Sequence, residues 1–488
     1  MCAKNKEKEE ILDEDGRVRI MTWNIQQFSK NKADKIDEAI VASIAWNMLN
    51  EKVDVLIILE LKDLKALNKL NLKLVDLSGE NYQQYVSAQS FTATSNSGNY
   101  SKVSDSTKRR KLTSVNQVKI NGGEYKIHSE YYGVILREGS GIKPQLISGD
   151  TKEPEFLEIY NEEHSIKIRS KNSNSREKRG LMKAYELTDL THDKTGFFPL
   201  IQPGSFTGGR PPCLVKLVRT ESLYVIPWHL RPNNIQNEDQ ARKINEVIEK
   251  STLVDKALVL TGDFNIDETK LTTGRGKKKT QTSIVKKYLT DWSAPKGYDK
   301  NPTHLNDATI DYSFLKNIVE QDFYALQPYT KDGKRQINID PLMQKNKLVI
   351  NQLKTNYHND CKTIDKTFSE SENGELTYKR PAFPKWILRP CFDQLKKKYI
   401  EDNVQVTDLR SIVDAFISEV LDPTYEVAYD ILGGQVAQED EVIIRQARML
   451  ICGLISDHFP IILDVPFAAE HKGNQTAEDT NGKATVDE

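Results

Sequence analysis

The chain has 488 residues, enough for two or three average domains or one elaborated domain, and its 69 Lys and Arg nearly cancel its 70 Asp and Glu, leaving a formal charge of -1. That balance excludes a uniformly basic, polyanion-coating protein, so any nucleic-acid surface must be a local patch. Five scattered cysteines with no Cys-x-x-Cys pair argue against a disulfide framework or a structural zinc site and favour a reducing compartment.

Residues 1–16 read as a charged, solvated leader without the apolar stretch of a signal peptide. No run approaches the roughly 20 apolar residues that cross a bilayer, so a cytoplasmic protein is expected. A strand is predicted over 17–24, ending on Asn24. Asp34 to Leu49 places Ile36, Ile40, Val41, Ile44, Met48 and Leu49 on one side of a helix, and a second strand over 53–60 ends on Glu60. Strand, helix, strand is the grammar of an α/β layer.

Further strands are predicted at Tyr82 to Ser87, Tyr131 to Leu136, Pro212 to Val218 and Leu223 to Trp228, the last running into His229. The intervening stretches are polar and carry basic tracts, Lys108-Arg109-Arg110-Lys111 and the segment from Lys167 to Arg179. A helix over Gln240 to Lys250 leads into Leu258-Val259-Leu260-Thr261-Gly262-Asp263-Phe264-Asn265. There a buried strand delivers a carboxylate and an amide two residues apart, which alternation would place on one face. A basic loop follows, with Arg275, Lys277, Lys278 and Lys279, and then a strand from Thr309 to Leu315 containing Asp311.

Residues 318–450 change texture to a mainly helical insertion. Asp340-Pro341 opens a helix running to about Tyr357, and Thr407 caps another in which Leu409, Ile412, Val413, Phe416 and Val420 share one stripe. The stretch around Ser369 to Pro390 is irregular. Residues 451–466 form a final core strand preceded by Ser456-Asp457-His458, and residues 467–488 are polar enough to be disordered. The core is therefore expected over 17–317, interrupted by the insertion and completed by 451–466.

Acids, amides and histidines at successive strand ends are the raw material of a site. In order, Asn24, Glu60, His229, Asp263 with Asn265, Asp311, and Asp457 with His458 resemble the endonuclease/exonuclease/phosphatase superfamily, the family of pancreatic-type deoxyribonuclease. The resemblance implies an α+β fold: a four-layer α/β/β/α sandwich with two mixed β-sheets and a site at one edge. It also implies Mg2+ or Mn2+ held by Asn24, Glu60 and Asp457, with Glu60 the principal ligand. Asp263 and Asn265 then orient and deprotonate a water, and His229 and His458 act on the developing charge or the leaving oxygen. Asp311 is preferred over Asp430 as the acid holding His458, because Asp311 begins a strand. Deoxyribonucleases pair the first histidine with a glutamate after Val-Ser, but here Ala88 follows Val86-Ser87, and Glu130 is a conceivable substitute.

The expected function is a metal-dependent phosphodiester hydrolase, an endonuclease or exonuclease acting on DNA rather than RNA. The three basic tracts, with Lys108, Arg109, Arg110, Arg275, Lys277, Lys278 and Lys279 as their best placed members, would contact phosphates. The alternatives are a phosphatase of a lipid or inositol-phosphate head group and a catalytically silent scaffold binding a protein partner through 318–450.

Overall fold

The computed structural model describes residues 16–62, 64–87, 91–93, 117–120, 123–127, 131–145, 196–197, 212–219, 221–230, 237–249, 253–265, 289, 291–295, 302–305, 309–319, 322–328, 336–365, 368–370, 376–378, 409–435 and 440–467. Residues 1–15 of the leader, the tail beyond 467, all three basic tracts, Thr407, Ala88 and Glu130 lie outside these.

Twelve strands build two sheets: β1 (Arg17–Phe28), β2 (Val55–Leu61), β3 (Tyr82–Ser87), β4 (Tyr131–Arg137), β5 (Lys143–Gln145), β6 (Gly196–Phe197), β7 (Val215–Val218), β8 (Ser222–His229), β9 (Ala257–Asp263), β10 (Asp311–Lys316), β11 (Asp322–Ala325) and β12 (Ile461–Pro466). The seven-stranded sheet runs β11-β12-β1-β2-β4-β3-β6, and the five-stranded sheet runs β10-β9-β8-β7-β5. Both are mixed. β1 is antiparallel to β12 and parallel to β2, while β9 is parallel to β8 and antiparallel to β10.

Three apolar clusters follow from strand alternation, in which successive side chains face opposite sides. Between the sheets lie Val18, Ile20, Val55, Ile57 and Leu59 of one, with Val215, Val225, Val259 and Leu315 of the other. Behind the five-stranded sheet, Ile226, Trp228, Leu258, Leu260 and Phe314 pack on Ala241, Ile244 and Ile248 of a helix (Asn237–Glu249). Behind the seven-stranded sheet, Met21, Trp23, Leu56 and Ile58 pack on further helices. The α/β/β/α sandwich that the resemblance implied is thus the fold observed.

The outer helical layer on the larger sheet comprises α1 (Lys30–Ala33), α2 (Ala39–Asn50) and α3 (Leu64–Ser78). After the Asn237–Glu249 helix (α4), the chain adds α5 (Asp340–Gln344), α6 (Asn346–Asp365), α7 (Leu409–Phe416), α8 (Asp422–Leu432) and α9 (Glu441–Cys452). A π-helical turn (Ile417–Leu421) joins α7 to α8. The stretch beyond 318 is joined to the core at both ends. β11 pairs with β12 at the sheet edge, and Leu342, Val349, Leu353, Phe416, Leu421 and Tyr425 share one cluster with Ile40, Ile44 and Met48 of α2.

Several elements differ from the sequence reading: the helix expected from Asp340 to about Tyr357 is two, α5 and α6, the second running to Asp365, and the stretch around Ser369 to Pro390 holds part of an antiparallel pair of short strands, Phe368–Glu370 and Leu376–Tyr378. β1 extends to Phe28 through a register shift that pairs Phe28 with Leu61. The helix expected from Asp34 begins only at Ala39, because Ile36, Asp37 and Glu38 all take left-handed φ, a choice that apolar spacing does not report. Among the described residues, no helix is long and apolar enough to cross a membrane.

Candidate active site

The faces turned toward one another between the sheets change character along the strands. Beyond the apolar residues comes a rung of hydroxyls, in which Thr22 Oγ1 lies 2.9 Å from Thr261 Oγ1, itself 2.8 Å from Ser313 Oγ. Two residues further along the same faces stand Asn24, Asp263 and Asp311, at most 2 % exposed. Period-two alternation on three strands therefore stacks an apolar layer, a hydroxyl layer and an ionisable layer in order. The hydroxyls satisfy one another where an apolar filler would leave the next rung without polar neighbours.

Asp263 is the hub. Its Oδ1 accepts from the backbone N–H of Asn265 at 2.8 Å, and its Oδ2 accepts from Asn24 Nδ2 at 3.0 Å. The same Oδ2 lies 3.3 Å from His229 Nε2 and 3.7 Å from His458 Nε2. Burial pushes the Asp263 carboxyl up to about 7, against the pull of the His458 charge. Gly262 is what lets the strand bring Asp263 here: its φ is 151°, and a Cβ there would run into the Trp228 carbonyl of β8.

His458 is held by Asp311, whose Oδ2 and Oδ1 lie 3.0 and 3.2 Å from Nδ1. Asp430, the competing acid, is exposed on α8. Burial alone would lower the His458 pKa, but the Asp311 and Asp263 carboxylates outweigh it and raise it, so the ring is held as imidazolium. Its backbone is fixed as well. The carbonyl accepts from Trp23 Nε1 at 2.9 Å, and the N–H donates to Ser456 Oγ, which in turn donates to the Asn24 carbonyl.

Glu60 reaches the same edge by a distortion. Alternation would send it with Leu56 and Ile58 toward the helices, yet its φ is 56° and the β2–β4 register shifts between Ile58 and Leu61. Such irregularities re-aim a side chain. Its Oε1 comes to 3.6 Å from His229 Nε2, and its Oε2 accepts from the N–H of Gln27, another left-handed residue, at 2.9 Å. Glu130 and Ala88 lie outside the described residues; among the described ones, Glu60 and Asp263 are acids that stand beside His229.

Alternation does not carry through to Asn265. The strand ends at Asp263, Asn265 has φ 51°, and its Nδ2 donates to the Leu230 carbonyl at 2.7 Å. It braces the loop and, through its N–H, the Asp263 carboxylate.

Several residues at the edge carried no signal in the sequence. His304, one of eight histidines in the chain, is buried, and its ring meets that of His458 edge to face at 4.7 Å, with Nε2 3.7 Å from Asp457 Oδ2. Burial lowers its pKa. Gln26 Nε2 donates to Asp457 Oδ2 at 2.9 Å. The Lys32 ammonium donates to the Gln26 carbonyl at 2.8 Å, and burial pushes it down to about 8 against the opposing Asp457 and Glu60 charges. Only proximity in the fold distinguishes these from ordinary surface residues.

The donor set fits a hard divalent cation. Asn24 Oδ1 is buried without a hydrogen-bond partner, because its amide nitrogen is committed to Asp263. A buried unsatisfied carbonyl beside carboxylates is costly unless a cation or water completes it. Two groups have ligand atoms within 4.8 Å of one another, Asp263, Asp311 and His458, and His304, Asp457 and His458; the charged His458 ring offers no lone pair, which leaves the carboxylate oxygens and the His304 nitrogen as the donors in them. Carboxylate and amide oxygens suit magnesium or manganese better than zinc.

No family model matches the chain, and no curated protein matches it. Among solved structures the chain is similar to D. rerio TDP2 humanized by 14 mutations, with 12% identity, a TM-score of 0.31, and coverage of 66% of this chain and 95% of that one. It is similar to the human nocturnin catalytic domain with bound sulfate, with 12% identity, a TM-score of 0.31, and coverage of 64% and 85%. A Bacteroides thetaiotaomicron protein of the endonuclease/exonuclease/phosphatase family gives 12% identity, a TM-score of 0.34, and coverage of 63% and 89%.

Proposed function

We propose that the chain is a divalent-metal-dependent phosphodiester hydrolase, and specifically a nuclease acting on DNA. The observation that carries this is the single edge at which Asn24, Glu60, His229, Asp263, Asp311, Asp457 and His458, drawn from both sheets, form an unbroken series of side-chain contacts of 3.0 to 3.9 Å.

In this reading Asn24, Glu60 and Asp457 hold Mg2+ or Mn2+, which when bound neutralises charge on the phosphoryl oxygens. Asp263 takes a proton from the attacking water, a task for which a carboxylate raised by burial toward neutrality is a stronger base than an exposed one. Asn24 and the Asn265 N–H fix that carboxylate in place. His458, kept charged by Asp311, faces the charge that develops on phosphorus or gives its Nε2 proton to the leaving oxygen, with His229, whose Nε2 also lies beside Asp263 Oδ2, sharing the task. A nucleic-acid substrate is supported by the sequence: Lys108, Arg109, Arg110, Arg275, Lys277, Lys278 and Lys279 lie in insertions between core strands of an otherwise neutral chain.

The test presents supercoiled plasmid, RNA and phosphoinositide to the full chain with Mg2+ or Mn2+, with and without chelator, alongside Asp263→Asn. Plasmid nicking that chelator abolishes and that Asp263→Asn lowers by at least about 100-fold is expected. Head-group release without nicking would replace the nuclease by a lipid phosphatase. Hydrolysis of none of the three would leave a scaffold.

A further inference from the structure

Gln26 and Gln27 belong both to the edge just described and to a neighbouring cavity of about 360 Å3, a volume within the range of about 300–1,000 Å3 typical of small-molecule sites. Its remaining walls are the segment through α1, helix α6 and the turn at Gly453-Leu454. Gln26 holds Asp457 and the Gln27 N–H holds Glu60, so whatever fills the cavity abuts the proposed metal ligands.

The lining contains two lysines, Lys32 and Lys35, and no acid. Among the described residues neither lysine forms an ion pair. Their neighbours do: Lys30 and Lys69 pair with Asp34, Lys69 also with Glu38, and Lys345 with Asp37. Every carboxylate between residues 30 and 38 is thus committed to a lysine that does not line the cavity; Lys32 donates to the Gln26 carbonyl and faces Asp457 and Glu60, which leaves the exposed Lys35 ammonium for an anion. The three consecutive left-handed residues Ile36, Asp37 and Glu38, with φ of 54°, 51° and 62°, are a costly run for which a β-branched residue is ill suited. The ion pairs of Asp37 and Glu38 hold the run from outside, and it sets Ile36 into the cavity wall beside Lys35.

The rest of the lining is apolar and amide in character. Ile36 is 9 % exposed and Leu454 half-buried. On α6, Gln352 Nε2 donates to Asn356 Oδ1 at 3.3 Å, leaving Gln352 Oε1 as an acceptor and Asn356 Nδ2 as a donor. An anion beside an apolar surface and a paired acceptor and donor describes a nucleotide: phosphate, flat base, base edge.

We propose that this cavity is the subsite for the nucleotide next to the scissile phosphate, with Lys35 on its phosphate, Ile36 and Leu454 against its base, and Gln352 and Asn356 on the base edge. The proposal rests on the phosphodiester-hydrolase reading and adds to it that α6, from the stretch beyond 318, sets nucleotide preference. An inositol ring, rimmed by hydroxyls, has no use for the apolar wall of Ile36 and Leu454.

The test compares the full chain with the double variant Lys35→Ala, Gln352→Ala, both positions being on the surface. The preference in kcat/KM for an oligonucleotide over bis(p-nitrophenyl) phosphate is expected to fall at least ten-fold, through KM of the oligonucleotide. Calorimetric titration with 5′-mononucleotides is expected to weaken by the same factor, with the four bases binding unequally. A wild type that hydrolyses both substrates while the variant keeps its preference and its mononucleotide affinity would overturn the subsite and leave the hydrolase standing. A wild type that hydrolyses neither would remove the hydrolase reading, and the mononucleotide titration would still decide the cavity's ligand. Tighter binding of inositol trisphosphate than of any mononucleotide would overturn the nucleotide assignment.

Discussion

One oxygen, Asp263 Oδ2, stands between an amide donor and two imidazoles, and the protonation of that group sets what the edge can do. His458 is the readily measured member. Nitrogen-15 NMR of the ring is expected to show it protonated well above pH 7, and Asp311→Asn should lower its pKa by more than one unit. A value that Asp311→Asn leaves unmoved would show that the pair does not couple. The sign for stability follows. Because the folded pKa lies above the ordinary 6.5, the contribution is fully present below pH 6.5 and is lost as pH rises toward about 10. At this scale the sequence was informative for residues at strand ends: Asp311 and Asp263, each at the end of a strand, lie against His458. It was silent on His304, Gln26 and Lys32, which sit at the edge only because distant segments fold there.

The strand that carries Asp263 depends on a glycine at a φ of 151°, where β8 passes too close for any Cβ. Gly262→Ala is expected to cost at least about 2 kcal/mol in urea unfolding, through forced displacement of β9 against β8, and to lower activity with it. Unchanged stability would show that the two strands part easily. Runs such as Leu258-Val259-Leu260 declare a buried strand in any context, which is why most core strands were readable. The distortions that finish the site were not, because left-handed φ at Gln27, Glu60 and Asn265 goes against residue preference and is imposed by the surroundings. The late start of α2 has the same origin: Ile36 is buried in a turn as readily as in a helix.

At the scale of the molecule, the helices beyond 318 share their core with α2 and the larger sheet. Asn47 of α2 clasps the backbone of Asn338 in both directions, donating at 3.1 Å and accepting at 2.7 Å. Phe416→Ala, in this shared cluster, is therefore expected to cost about 3–5 kcal/mol and to lower protection from hydrogen exchange in β1 as well as in the helices. A loss confined to the helices would make them a separate unit. Their helical periodicity was legible, but nothing local said which surface they would cover. The order of the strands has one more consequence. β12 lies between β1 and β11, and His458 immediately precedes it, so both the larger sheet and the cluster around Asp263 wait for a segment that a ribosome delivers after more than 450 others. A chain still being synthesised carries Asn24, Glu60 and Asp263 but lacks the His458 ring that lies against Asp263 and the strand that pairs with β1.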